Sequence, residues 1–356
     1  MAINFAFDSE EISIAFKIVS HALGDTVISK AAFEALVKLA PDCKIDIYCK
    51  EGGRKCVESF YGDDKNINAL VDFDLYKDQH KKYDLAVNVW HLIRVDFVNV
   101  DKLQDKALDL FRAVQKMLIF QNRYPYKANN NVATILTNVM RSHILGTNRY
   151  TVLSCAGALP ITDDHVNIPL TAEGEAGFKD LNLPEYYITM GSNTDPNNNL
   201  SKRFILKEWP ITNATEFISL FKKHFTKVAV VQMGGGDAFL FENADRHVLN
   251  APLEVVKHVL KNSLLHIDCE GGLVHLATQF RTKCITLFGP TDTEYYGFKG
   301  NFNVATGDCF PCCHAWDSGA ECLRGEDEPL CMKSIKPERV FDIAKNYLLS
   351  LAKNKA

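Results

Sequence analysis

At 356 residues, with 47% hydrophobic and 24% charged side chains, the chain is too long for one ordinary core and has the make-up of two globular α/β domains of comparable size. A net charge of −4 leaves no overall electrostatic footprint for nucleic acid, and no apolar run reaches the roughly 18 residues that a membrane span needs. The first residues show no basic n-region followed by an apolar h-region, so the expectation is a cytoplasmic protein without a signal peptide, in which any membrane association is peripheral.

The alternating, β-rich stretch Ile12 to Val19 predicts a first strand. Gly24-Asp25 predicts a turn, and Val27, Ala31, Leu36 and Leu39 form the apolar face of a helix that Pro41 closes. A second strand follows at Lys44 to Tyr48, which makes this the opening of a doubly wound domain. Asp25 then sits at the C-terminal end of the first strand, on the ligand side of such a sheet; a helix N-cap accounts for an aspartate there as well. Strands are further predicted at Ala69 to Phe73 and Tyr83 to Val89, and a long, mostly helical stretch from Asp101 to Leu145. Asn122-Arg123-Tyr124-Pro125-Tyr126 interrupts it with aromatic and basic residues that suit a binding groove or a plain solvated loop. Ser154 to Glu173 reads as loop-rich.

Leu183-Pro184 opens a second unit, with a strand at Tyr186 to Met190 that ends in Gly191-Ser192. After a polar, turn-rich insertion come Lys207-Glu208-Trp209-Pro210 and a helix carrying Phe217, Leu220 and Phe221 on one face. A strand at Val228 to Val231 leads to Gly234-Gly235-Gly236-Asp237, which by its glycines alone resembles a mononucleotide-binding turn, and Leu253 to Leu260 reads as a helix. From Leu265 to Gly297 the pattern is strand, Glu270-Gly271-Gly272, helix, then a strand at Cys284 to Phe288 ending in Gly289-Pro290-Thr291. Paired glycines at a strand end allow backbone N–H groups to approach a diphosphate, with the positive end of a helix dipole behind them. A strand-to-helix turn with Glu270 as a cap fits the same residues.

Cys43, Cys49, Cys56, Cys155, Cys269 and Cys284 are scattered, mostly in or beside apolar strands, as buried structural thiols are. The other five crowd into Cys309 to Cys331. Cys309 and Cys312 form a C-x2-C pair, Cys313 and His314 follow directly, and Cys322 and Cys331 can complete a tetrahedral site for zinc or iron; a set of disulfides or coincidental buried thiols are the other readings of the cluster. The terminal segment Pro337 to Leu351 is an amphipathic helix.

The run E-G-G-x-x-H-L-A from Glu270, followed by L-F-G-P-T and Y-Y-G, resembles the nucleotide-sugar half of glycosyltransferase family 9, the heptosyltransferase-like enzymes of GT-B fold, whose usual form is D-S-G-x-x-H-L-A. Gly24-Asp25 through Leu36 to Pro41, the K-x-W-P at Lys207, and Cys331-Met332 ahead of Ile335-Lys336-Pro337-Glu338 resemble the same family, and A-L-G-D-T is similar to the bacterial autotransporter heptosyltransferases. The resemblance implies two facing Rossmann-like domains, 1–180 on the acceptor side and 181–335 on the donor side, a cysteine-rich metal finger at 309–331, and a C-terminal helix at 336–356. It implies an inverting transfer of a sugar, heptose by family default, from a nucleoside-diphosphate sugar such as ADP-heptose to a hydroxyl of a glycan, as in lipopolysaccharide core, or of a protein.

In that scheme Asp25 is the general base. Lys207 and the Gly271-Gly272 amides hold the diphosphate, with Lys202 and Arg203 as rivals for that lysine. Glu270 holds the ribose, with Asp268 an extra carboxylate beside it, and Gly24, Gly191, Ser192, His275, Gly289 and Thr291 complete the donor set. Cys309, Cys312, Cys322 and Cys331 would carry a structural zinc or iron, and no catalytic metal is expected, since no D-x-D stands at a strand end. An oligomer is compatible with this reading. The alternatives are a nucleotide-sugar epimerase or hydrolase of the same fold, and a catalytically silent sugar-binding or assembly subunit.

Overall fold

The structure, a computed structural model, describes residues 10–62, 64–123, 132–191, 206–236, 238–309, 311–313, 322–326 and 329–353. The chain divides into two compact units, Met1–Pro169 and Leu170–Ala356.

The first unit runs β1 (Ser13–Ile18), α1 (Leu23–Leu39), β2 (Lys44–Cys49), α2 (Glu51–Tyr61), β3 (Ile67–Asp72), α3 (Tyr76–Gln79), β4 (Leu85–Val89), β5 (Ile93–Val98), α4 (Val100–Lys106), α5 (Leu108–Arg123) and α6 (Val132–Leu145). Its sheet has the order β3-β2-β1-β4-β5. The strands are parallel except β5, which returns antiparallel on β4 through a tight turn closed by Trp90 N–H to the Leu92 carbonyl. Strand β1 is buried on both faces, because Phe16 packs edge-on against Phe33 of α1 while Ala15 on the other face joins Tyr48, Tyr76 and Tyr83. The predicted turn at Gly24-Asp25 is instead the first turn of α1, which starts after Ala22 without a side-chain cap.

The second unit contains α7 (Ala172–Asp180), β6 (Tyr187–Gly191), α8 (Ile211–His224), β7 (Ala229–Gly234), β8 (Arg246–Leu249), α9 (Leu253–Asn262), β9 (His266–Cys269), α10 (Gly272–Gln279), β10 (Cys284–Phe288), α11 (Thr293–Tyr296), β11 (Phe302–Ala305), α12 (Leu330–Lys333) and α13 (Pro337–Lys353). Its six strands, in the order β11-β10-β9-β6-β7-β8, are all parallel. Both units thus have the sheet-and-helix alternation of doubly wound α/β folds. The division falls at 169/170 rather than at 180/181, since α7 packs on α9: Thr171 bonds Glu254, and the Gly174 Cα lies so close to the Glu254 carbonyl that a Cβ there would sit 2.7 Å from it. The terminal helix α13 buries Val340, Ala344 and Leu348 in the second unit's own core, with Phe217, Phe221 and Ile285.

Candidate functional site

In the first unit the candidate residue is Asp25, in the first turn of α1 just beyond the C-terminal end of β1. Both of its carboxylate oxygens are held. Arg149 Nη2 donates to Oδ1 at 2.8 Å, and the Trp90 indole N–H donates to Oδ2 at 3.3 Å. The Arg149 side chain is 1% exposed and that of Asp25 24%, so the pair is anchored from inside while the carboxylate keeps an open side. Arg149 itself sits in a fixed turn, because the Asn148 side-chain oxygen accepts from the N–H groups of Tyr150 and Thr151, each at 3.0 Å. Asp25 is therefore not a helix cap: its oxygens serve residues far along the chain and not the N–H groups of its own helix. Neither Arg149 nor Trp90 was legible as a site residue, and the β4 end at Trp90 was the one available hint. Gly24 lies in the same turn of the first unit.

In the second unit Lys207, Glu270 and His275 meet. Lys207 Nζ is 2.5 Å from Glu270 Oε2, and His275 Nε2 is 3.7 Å from Oε1. Burial by itself would raise the Glu270 carboxyl, but the charges and hydrogen bonds of Lys207 and His275 outweigh it and hold the group below the ordinary carboxylate range. Lys207 stands 31% exposed at the rim, with the Tyr296 ring centroid 5.9 Å from its ammonium. Two residues on, the Trp209 indole N–H donates to the Ile335 carbonyl at 2.8 Å and fixes the segment that Pro210 then turns into α8. Glu270 follows β9, and Gly271 in extended backbone leads into α10, whose first N–H groups have no partner inside the helix.

The second carboxylate, Asp268, is placed elsewhere. One of its oxygens accepts the Cys269 N–H at 2.8 Å, and His266 Nε2 is 3.5 Å from the other. A Cβ on Gly191 would lie 2.1 Å from that carboxylate, so glycine at the end of β6 makes room for Asp268. Gly289 likewise makes room for protein: a Cβ there would stand 2.4 Å from Met332 Sδ and 3.3 Å from Cys331 Sγ. Thr291 is buried, and its hydroxyl has no hydrogen-bond partner among the described residues. Gly234, Gly235 and Gly236 follow at the end of β7. Ser192, Lys202, Arg203, Asp237, His314 and Tyr124 to Tyr126 lie outside the described residues.

Cys309, Cys312, Cys322 and Cys331 line one cavity of about 260 Å3, together with Leu206, Pro290 and Arg324. The N–H groups of Cys312 and Cys313 both donate to the Pro290 carbonyl, at 2.9 and 2.8 Å, which ties the cysteine segment to the turn after β10. Burial pushes the Cys331 thiol up to about 11, with the other three thiols nearby. The donor set and its grouping fit a tetrahedral four-thiolate ion. Among the described residues, however, no three His, Cys, Asp or Glu side chains are drawn to metal-binding distances, so the expected finger stands as a shared cavity and not as a formed centre. Among the described residues no cysteine forms a disulfide. Burial raises the thiols of Cys43, Cys155 and Cys284 to about 12, as in structural positions.

No protein-family model matches the chain. No curated protein matches it. Solved structures are similar to it in fold. The glycosyltransferase family 9 protein of Veillonella parvula is 14% identical, with 98% of this chain and 100% of that one covered at a TM-score of 0.59. E. coli ADP-heptose LPS heptosyltransferase II is 12% identical, with 95% and 99% covered at 0.57. TibC, the iron-containing dodecameric glycosyltransferase of enterotoxigenic E. coli, is 13% identical, with 96% and 81% covered at 0.57. The parallel-dominated α/β architecture is thus the one found in glycosyltransferase family 9 structures.

Proposed function

We propose that this chain is an inverting glycosyltransferase that takes a nucleoside-diphosphate sugar, in the manner of the ADP-heptose enzymes it resembles, and passes the sugar to a hydroxyl of a glycan or protein. The observation that carries this reading is the Lys207–Glu270 pair: a cation held by a buried carboxylate at the strand ends of a doubly wound sheet, beside the start of α10. A TibC structure of the same fold is in complex with ADP-D-β-D-heptose, which makes that nucleotide sugar the first to try.

The acceptor hydroxyl oxygen forms a bond to the anomeric carbon while the bond from that carbon to the diphosphate oxygen breaks. Asp25 takes the hydroxyl proton, and Arg149 and Trp90 keep its carboxylate aimed. The electron pair of the broken bond leaves on the diphosphate, where the Lys207 ammonium and the N–H groups at Gly271 and Gly272 stabilise the growing charge. Glu270 holds Lys207 in place and supplies the carboxylate for the ribose, His275 fixes Glu270, and the orphan Thr291 hydroxyl and Gly289 shape the same edge. Cys309, Cys312, Cys322 and Cys331 would hold a zinc or iron ion, which supplies a structural cross-link, since four thiolates leave no open position.

Thermal-shift measurement over a panel of nucleotide sugars, followed by detection of nucleoside diphosphate released in the presence of candidate acceptors, tests the proposal. Stabilisation by ADP-heptose or another nucleotide sugar and release of its diphosphate is the expected result. Binding without any release for any acceptor would favour the silent-subunit reading instead.

A further inference from the structure

Helix α6 buries a largely polar face. Thr134, Asn138 and Ser142 are buried with Ile135 on its inner side, where the Asn138 amide donates to the His91 carbonyl at 2.7 Å. Leu136, Met140 and Ile144, spaced four apart on another face, are 39%, 66% and 76% exposed, and Leu145 beside them 58%. A surface helix ordinarily turns its apolar stripe to the core. Scattered exposed apolar residues need no explanation, but a stripe opposite a buried face made of three polar residues and Ile135 does.

The surrounding charge says what meets that stripe. Residues 110–162 contain six Lys or Arg and no Asp or Glu, in a chain that otherwise has more acidic than basic residues, 44 against 40; of the six, Arg149 is buried against Asp25 and Arg112 pairs with Asp109 at the start of α5, which leaves Lys116, Arg123 and Arg141 on the described parts of the two helices. On α5 the inner face buries Leu110, Ala113, Val114 and Met117, while Arg112, Lys116, Ile119 and Arg123 are on the exposed side. The two helices are joined where the Arg141 guanidinium lies 5.1 Å from the centroid of the Phe120 ring. Exposed apolar anchors beside lysine and arginine, with the one carboxylate of α5, Asp109, tied to Arg112, are the chemistry of an interfacial helix on an anionic bilayer: the apolar side chains enter the headgroup boundary and the cations stay at the phosphates.

We infer that α5 and α6 form a docking face for an anionic phospholipid surface, with Met140 and Ile144 as the inserted residues and Lys116, Arg123 and Arg141 as the electrostatic contacts. This goes beyond the transfer reaction and does not depend on it. A protein that worked on a membrane-borne acceptor would gain by it, since surface attachment raises the local concentration of both partners.

The test is flotation of the full chain with vesicles of equal parts phosphatidylglycerol and phosphatidylcholine, against vesicles of phosphatidylcholine alone. Wild-type protein should float with the anionic vesicles only, and raising salt should release most of it. Met140→Glu together with Ile144→Glu, or Lys116→Glu together with Arg123→Glu, should reduce the bound fraction by at least about tenfold, the scale of losing a kcal/mol or more of contact per residue. Melting temperature and the circular dichroism spectrum of the same variants should remain those of wild type, which separates lost docking from lost folding. Absence of flotation with anionic vesicles overturns the inference. So does a drop in molecular mass by light scattering in Met140→Glu with Ile144→Glu when no vesicle is bound, because it would assign the stripe to a second copy of the chain.

Discussion

Arg149 and Asp25 are 124 residues apart in sequence and 2.8 Å apart in the folded first unit. The guanidinium is enclosed and the carboxylate is at the edge, so the acid is presented by a partner that cannot swing away. This relationship sets what replacement of the aspartate should do.

Asp25→Asn removes the proton acceptor and leaves Arg149 buried opposite a neutral amide. Sugar transfer should fall about 10²–10⁴-fold, the usual contribution of a general base. Stability should fall as well, by about 1.5–3 kcal/mol, the range for a hydrogen bond to a charged group. Donor affinity, which the proposed function assigns to the second unit, should persist. One purified variant carried through urea unfolding, ADP calorimetry and a transfer assay checks all three, and wild-type turnover would falsify the base assignment.

Lys207→Ala should weaken ADP binding by about 1.5–3 kcal/mol if the ammonium contacts the diphosphate. Calorimetry decides, and unchanged affinity would return Lys202 and Arg203 to consideration.

The Glu270 carboxyl is held below its ordinary range in the folded protein, so near the unfolded value of about 4.3 the unfolded chain binds more protons than the folded one. Its contribution to stability is therefore complete at neutral pH and declines as pH falls below roughly 5 toward the depressed folded value. Urea midpoints from pH 7 down to pH 3 should drop more steeply for wild type than for Glu270→Gln. Parallel curves would mean that Lys207 and Glu270 do not interact in solution.

Purified protein should carry about one transition-metal ion per chain, and Cys322→Ser should lose it, as a four-thiolate site requires all its ligands. Elemental analysis measures this directly. A folded, metal-free wild-type protein would remove the metal from the account while leaving the cysteine cavity.

Gly289→Ala should destabilise by about 1–3 kcal/mol, the common cost of overpacking, because the new methyl meets Met332 and Cys331. Combining it with Met332→Ala should recover part of the loss. Full additivity of the two changes would show that Gly289 does not pack there.

Sequence periodicity determined the elements whose signal is local. The strand from Cys284 to Phe288 and the helices at Ile211–His224 and Gly272–Gln279 stand where apolar spacing and glycine turns put them, since each is fixed by residues within a few positions of one another. Lys207, Glu270 and His275 were nameable from short motifs, and Cys309 to Cys331 from spacing. What the chain alone could not reveal is which groups face each other: Arg149 for Asp25, and Lys207 for Glu270 at 63 residues' separation. It also could not reveal that Gly191 and Gly289 are glycines to admit Asp268 and Met332. Nor does periodicity say which side of an amphipathic helix is inside; the same spacing serves either, and in α6 only the packing of Thr134, Asn138 and Ser142 settles that the apolar stripe faces out. Pairing across the fold depends on how the sheets bring distant strand ends together, and that geometry exists only once the backbone has closed.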